Sequence, residues 1–367
     1  MSSDRLVRLH REQGQSPWLD NLRRDLIRDG GLVSIRDSGI RGLTSNPTIF
    51  QKAIQGSQDY DEQFAALSAA GRSVEECYWE MVVEDIHGAL DVFASVHSDS
   101  DGGDGFVSVE VDPNLAHDTS GTEVAGRDLW NRIDRPNLMI KIPATEEGLP
   151  AIRRMIAEGR NVNVTLIFSL DRYQKVMDAY IDGLTERADA GLDVSGVASV
   201  ASFFISRVDS EVDKRLEAIG TPAALAERGK AAVAQARLAY ESFERTFSGS
   251  RWNSLATKGA RVQRPLWAST STKNPAYPDT LYVDQLIGPE TVNTLPDATV
   301  EAFADHGTVA RTIDAERAES HRVWSRLAEL GVDMSDVSDL LEREGVASFR
   351  KSFDELISAL TDKRANL

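Results

Sequence analysis

The chain has 367 residues, with 58 Asp and Glu against 41 Lys and Arg and a formal net charge of −17. That balance excludes nucleic acid or an anionic membrane as the main partner, because both select a basic surface, although a few grouped cations still hold a phosphate. A hydrophobic content of 41% and a charged content of 27% are those of a globular protein, and the length accommodates two ordinary domains or one large α/β barrel.

The opening MSSDRLVRLHREQGQ is polar and carries no basic-then-apolar leader. No later run approaches the ~20 apolar residues of a membrane span. The single Cys77 can form no internal disulfide, so a soluble protein of the reducing cytosol is expected. A weak strand signal, SPWLDNL, follows the polar opening. Clear apolar runs then come in the order IRGLTSNP, FVSVEVDP, LMIKIPAT, NVNVTLIFS, GVASVASFFIS, PLWAST and TVNTLP. Between several of them lie helix-period stretches, among them SVEECYWEMVVEDIHGALDVFASV, EEGLPAIRRMIAEG and SLDRYQKVMDAYIDGLTERADAG. Ser169 suits the N-cap of the last of these and Gly191 its stop.

Strands apolar on both faces, alternating with helices, predict parallel strands with crossover helices. With the SPWLDNL strand included they close an α/β (β/α)₈ TIM barrel, one domain spanning residues 1–367. An open doubly wound sheet is the alternative, but no GxGxxG follows any strand. The run HSDSDGGDG (97–105) reads as a flexible surface loop. The stretches near 209–262 and after 299 are expected to form additional helices outside the barrel.

Polar residues interrupt the apolar strands in a regular way. Lys141 stands between Ile140 and Ile142, where an ammonium is costly to bury unless it is paired or loses its proton. Period two places Glu110 on one face with Asp112, and Asn163 on one face with Thr165. At the C-terminal strand ends of a barrel such groups line a catalytic mouth. A desolvated lysine amine attacks a carbonyl to form a Schiff base, and a carboxylate with a hydroxyl would hold the water of imine chemistry. Each residue also has a plain structural role. Lys141 with Glu110 makes a buried ion pair, Asn163 and Thr165 are satisfied interior groups, and Asn46 is a turn residue before Pro47. The six His are scattered, without HxxxH spacing, and neither a metal nor another cofactor is expected.

GLTSNPTIF (42–50) and LMIKIPATEEGLPAI (138–152), followed by NVNVTLIFS and VASFFISRVD, resemble the motifs of the transaldolases, in the same order and across nearly the whole chain. The run ASTSTKNPAYPDTLYVDQLIGPETVNTLP and the length are similar to the longer bacterial branch of that family. The resemblance implies a (β/α)₈ barrel that moves a dihydroxyacetone unit from sedoheptulose 7-phosphate or fructose 6-phosphate to glyceraldehyde 3-phosphate or erythrose 4-phosphate, without cofactor. It makes Lys141 the Schiff-base lysine, with Glu110 and Thr165 holding the proton-shuttling water and Asp20 the acid/base at the C4 hydroxyl. It assigns Asn46 and Asn163 to the donor hydroxyls, and Ser202, Arg207, Ser271 and Lys273 to hydroxyls and phosphate. Where many members carry arginine, this chain has Lys273. Phe204 stands where the related, shorter fructose-6-phosphate aldolases commonly have tyrosine, which favours a transferase over a lyase. The alternatives are an aldolase-type lyase using the same lysine and a non-catalytic sugar-phosphate-binding barrel. Partners are then small sugar phosphates, with the protein a monomer or homodimer in the cytoplasm.

Overall fold

A computed structural model describes residues 4–367. Eight parallel strands close into a barrel: β1 (Gln15–Leu19), β2 (Leu43–Thr44), β3 (Val107–Glu110), β4 (Leu138–Pro143), β5 (Val162–Ile167), β6 (Ser199–Phe204), β7 (Arg264–Ala268) and β8 (Thr291–Leu295). Each pairs with its sequence neighbours, and β1 meets β8 from Gln15 opposite Thr291 to Leu19 opposite Leu295. This is the (β/α)₈ TIM barrel that the alternation predicts, with the SPWL segment as its first strand. Nearly every strand residue is buried, because side chains fill the interior while helices cover the outside. Of the IRGLTSNP run only Leu43 and Thr44 join the ladder, and Pro47 begins the helix that follows. Gly42, just before them, lies so close to the Trp18 indole that a Cβ would sit 2.7 Å from it.

The crossover helices begin where local chemistry directs. Ser73 and Glu76 form a reciprocal capping box, satisfying two otherwise orphaned amides at the start of the Val74–Asp99 helix. Ser169 accepts from the Arg172 amide (3.0 Å) to start Leu170–Asp189, and Gly191 follows that helix in the left-handed region at φ 74°. No helix among the described residues is long and apolar enough to cross a membrane.

Two loop and tail expectations change. The 97–105 run is not merely a surface loop, because the Val74–Asp99 helix absorbs its start and Asp104 is 2% exposed beneath the barrel. The last helix, Met334–Arg364, does not simply pack outside. It crosses the C-terminal mouth, with Ser338 donating to the Phe168 carbonyl (3.0 Å), Thr48 and Ser352 hydroxyls 2.8 Å apart, and Arg350 donating to Asn114 (3.1 Å). Gly345 lets it lie close to β5, since a Cβ there would approach Leu166 Cδ2 to 2.9 Å.

Gly345→Val gains under 1 kcal/mol in helix propensity but overpacks this contact at a cost of about 1–3 kcal/mol. A lowered urea midpoint together with reduced turnover is expected. An unchanged midpoint would show that the helix does not seat where the structure places it.

Candidate active site

Register brings the polar strand residues together. Glu110 ends β3 opposite Lys141 of β4, and Lys141 is opposite Asn163 of β5. Neighbouring residues in register point to the same side of a sheet, so the three side chains meet across adjacent strands. Their residues are 5%, 4% and 0% exposed. Lys141 Nζ donates to the Ser45 carbonyl (3.1 Å) and lies 3.2 Å from Glu110 Oε2. From the C-terminal helix, the Phe349 ring stands 5.8 Å from the same nitrogen. Glu110 and Asp112 do not share a strand face, because β3 stops at Glu110 and the Asp112 carboxylate caps the next turn on the Asn114 amide (2.8 Å).

Burial raises the Glu110 carboxyl above the usual range; Lys141 opposes that shift and Asp20 adds to it. Neither Glu110 oxygen receives an aligned hydrogen bond among the described residues, and Thr165 Oγ1 is likewise buried without a partner. Buried acceptors and hydroxyls are ordinarily satisfied by protein or by water. The unused capacity of Glu110 and Thr165 beside Lys141 therefore fits a bound water. Beyond Thr165 the β5–β6 register shifts, and Leu166 takes φ 60°. A non-glycine residue there costs about 1 kcal/mol or more, and the bulge re-aims the strand end at the mouth.

The two asparagines are partly engaged. Asn163 donates to Ser108 (3.0 Å) and accepts from Ser202 (2.7 Å), so Ser202 is brought to the site through Asn163. Asn46 accepts from the Ile49 amide (3.0 Å) as the N-cap of the Pro47–Gly56 helix. Its turn role is thus real, and it leaves the Nδ2 hydrogens unclaimed among the described residues.

Asp20 follows β1, its amide donating to the Leu295 carbonyl (2.9 Å). Burial pushes its carboxyl up, opposed by Lys141, Lys273 and Arg207, so it stands between the amine and the cations. Next to Asp20 opens a cavity of about 560 Å³ also lined by Lys52. Arg207 lies over the Phe204 ring at 5.2 Å, and burial lowers it. Lys273 donates to Ser271 (2.8 Å) and is pushed down by burial, then by Arg207, with Asp20 opposing and Lys52 adding to the shift. Cations that repel one another without paired carboxylates form a site for an anion.

Sequence reading missed the frame behind this cluster. Tyr277 donates to Asp213 (2.6 Å) and Tyr282 to Asp209 (2.8 Å). These bonds fasten the 269–284 loop, with Ser271 and Lys273, to the Ser206–Ile219 helix that carries Arg207. The Ser206 and Ser269 hydroxyls, 2.9 Å apart, add a third tie where Ser269 turns the chain at φ 57°. A signal was available, since Asp209 and Asp213 fall four apart on the same helix face as Val208 and Val212. Phe349 left no such signal, because it reaches Lys141 only through tertiary packing.

Residues 17–360 match the family described as transaldolase/fructose-6-phosphate aldolase. The chain is similar to a transaldolase of Parafrankia sp. (strain EAN1pec), 54% identical over 352 residues, covering 95% of each chain. It is 53% identical to a transaldolase of Acidothermus cellulolyticus, over 95% of this chain and 94% of that one. A transaldolase of Mycolicibacterium smegmatis is 52% identical over 94% of both. With a barrel that sets a buried lysine beside a carboxylate at its C-terminal mouth, the chain belongs to the transaldolase/fructose-6-phosphate aldolase family.

Burial pushes the Asp209 carboxyl up to about 7, above its unfolded value near 3.9. The protonated form is the one the fold favours, so the stability linked to it is complete below about pH 4 and is lost as pH rises to about 7. The difference is on the order of 4 kcal/mol. Asp209→Asn should remove that part of the pH dependence in urea unfolding. An identical pH profile in the variant would mean that Asp209 is charged in the fold throughout.

Proposed function

We propose that the protein is a transaldolase, moving a dihydroxyacetone unit from sedoheptulose 7-phosphate or fructose 6-phosphate to glyceraldehyde 3-phosphate or erythrose 4-phosphate. The observation that carries this reading is the buried Lys141 amine, 3.2 Å from a carboxylate whose oxygens receive no aligned hydrogen bond. A purely structural ion pair this deep would ordinarily have its remaining acceptors satisfied. The names of the similar curated proteins support the same conclusion. A lone, buried cysteine also suits the cytosol.

Glu110 takes the proton that Lys141 must lose before its nitrogen attacks C2 of the ketose. Water held between Glu110 and Thr165 relays a proton to the carbinolamine hydroxyl, which leaves as water to give the iminium. Asp20, its carboxyl raised by burial, accepts the C4 hydroxyl proton. The C3–C4 bond breaks, its electron pair moves into the iminium to give an enamine, and the shortened aldose leaves as an aldehyde. Attack of the enamine on the incoming aldehyde, with Asp20 returning the proton to the new hydroxyl, reverses these steps. Water then hydrolyses the imine and frees the ketose and the amine. Arg207, Ser271 and Lys273 hold the phosphate, while Asn46 and Asn163 hold donor hydroxyls, which fixes the reacting carbons over Lys141.

The enzyme should convert fructose 6-phosphate and erythrose 4-phosphate into sedoheptulose 7-phosphate and glyceraldehyde 3-phosphate. Steady release of free dihydroxyacetone without an acceptor would instead make it a lyase. Lys141→Ala should fold and show no transfer. Glu110→Gln should slow transfer by about 10²–10⁴-fold with phosphate binding intact; unfolding of this variant would restore the structural ion-pair reading.

A further inference from the structure

The opposite, N-terminal end of the barrel holds a cavity of about 780 Å³. Its walls come from the starts of several strands, with Ser16, Arg41, Phe106, Met139, Ser199 and Arg264 among them. At its base, Asp104 accepts from Trp18 (2.8 Å), from Arg41 Nε (2.8 Å) and from the Ser16 hydroxyl. Arg264 donates to Ser16 (3.0 Å) and lies 3.7 Å from the same carboxylate. A barrel floor of this kind ordinarily serves stability.

The count of charges goes further than stability needs. One buried carboxylate, already receiving three donors, faces two guanidinium groups whose side chains are 24% and 15% exposed. Arg261 adds a third guanidinium, its Nε on the Ser195 carbonyl (3.0 Å) and its Nη2 on the Asp101 carbonyl, with its nearest carboxylate, that of Asp101, 4.0 Å away and fully exposed. Both Nη groups of Arg41 are without a hydrogen-bond partner among the described residues. Two histidines beside the cavity are lowered chiefly by burial and next by these arginines. His10 is lowered by burial and then by Arg41, with Asp104 opposing and Arg264 adding to the shift. His97 is lowered by burial and then by Arg261, with Asp104 opposing. The carboxylates of Asp99 and Glu290 also line the cavity, and both residues are exposed at its rim.

We propose that this cavity is a second anion site, holding a phosphate group against Arg41, Arg261 and Arg264 independently of the catalytic mouth. Three guanidinium groups converging on one space match a tetrahedral oxyanion through paired N–H donors. In a chain of net charge −17, such a cluster is locally specific rather than a by-product of overall charge. The ligand is either free orthophosphate or the phosphate of a small phosphomonoester.

The test is calorimetric titration with orthophosphate, using a variant in which Lys52→Gln, Arg207→Gln and Lys273→Gln silence the mouth. Binding should persist there, and adding Arg41→Gln should weaken it roughly tenfold or more. Asp104 keeps its Ser16 and Trp18 donors in that variant; if it still fails to fold, Arg261→Gln serves in its place. Competition by glycerol phosphate would identify a phosphomonoester site, and its failure to compete would identify a site for the free ion. Absence of orthophosphate binding in the mouth-silenced protein would overturn the proposal, as would binding that neither arginine substitution changes. Neither result bears on the transferase activity, which the transfer assay measures separately.

Discussion

The Lys141 amine is buried in the barrel wall, and much of the mouth is organised around making that burial tolerable. A charge so placed needs a partner at close range. The pairing of β3 with β4 supplies that partner by setting Glu110 opposite Lys141. Asp112 ends the strand by capping the next turn, which leaves Glu110 as its last residue. The C-terminal helix then covers the amine with Phe349. Water and substrate are therefore admitted through the mouth under the control of a small number of contacts.

The second organising constraint is electrostatic and local. Arg207 and Lys52 both act on Lys273 across the mouth, while the carboxylates of Glu344 and Asp20 act on Arg207. Arg207 and Lys273 sit on separate segments, so their spacing depends on the two tyrosine–aspartate bonds and the serine pair between them. Lys273 offers a point charge rather than the planar fork of an arginine. Lys52 lines the cavity beside Asp20, and the Ser271 hydroxyl accepts from Lys273.

Much of the barrel was legible because its strands are apolar on both faces and its helices carry explicit caps at Ser73 and Ser169. The weak SPWL strand was recoverable from the need to close eight. Lys141, Glu110, Asn163 and Thr165 were legible because a charged or polar group at period two in an apolar strand has few inexpensive explanations. Asn46 shows the limit of that reasoning, since it is both a helix cap and a candidate ligand for substrate. Asp104 was hidden inside a run of Gly, Ser and Asp that has every feature of a loop. Its burial follows only from where Trp18, Arg41 and Arg264 meet. The C-terminal helix was visible as amphipathic, but nothing in its own sequence says that the face with Phe349 closes over a lysine four strands into the chain.

The most direct test of the central claim is to incubate the protein with fructose 6-phosphate, reduce with borohydride, digest, and examine the peptides by mass spectrometry. Lys141 as nucleophile predicts a dihydroxyacetone-derived adduct on the peptide that contains it. A folded protein that forms no adduct, or forms it on another lysine, would contradict the account and leave Lys141 as the buried half of a structural ion pair.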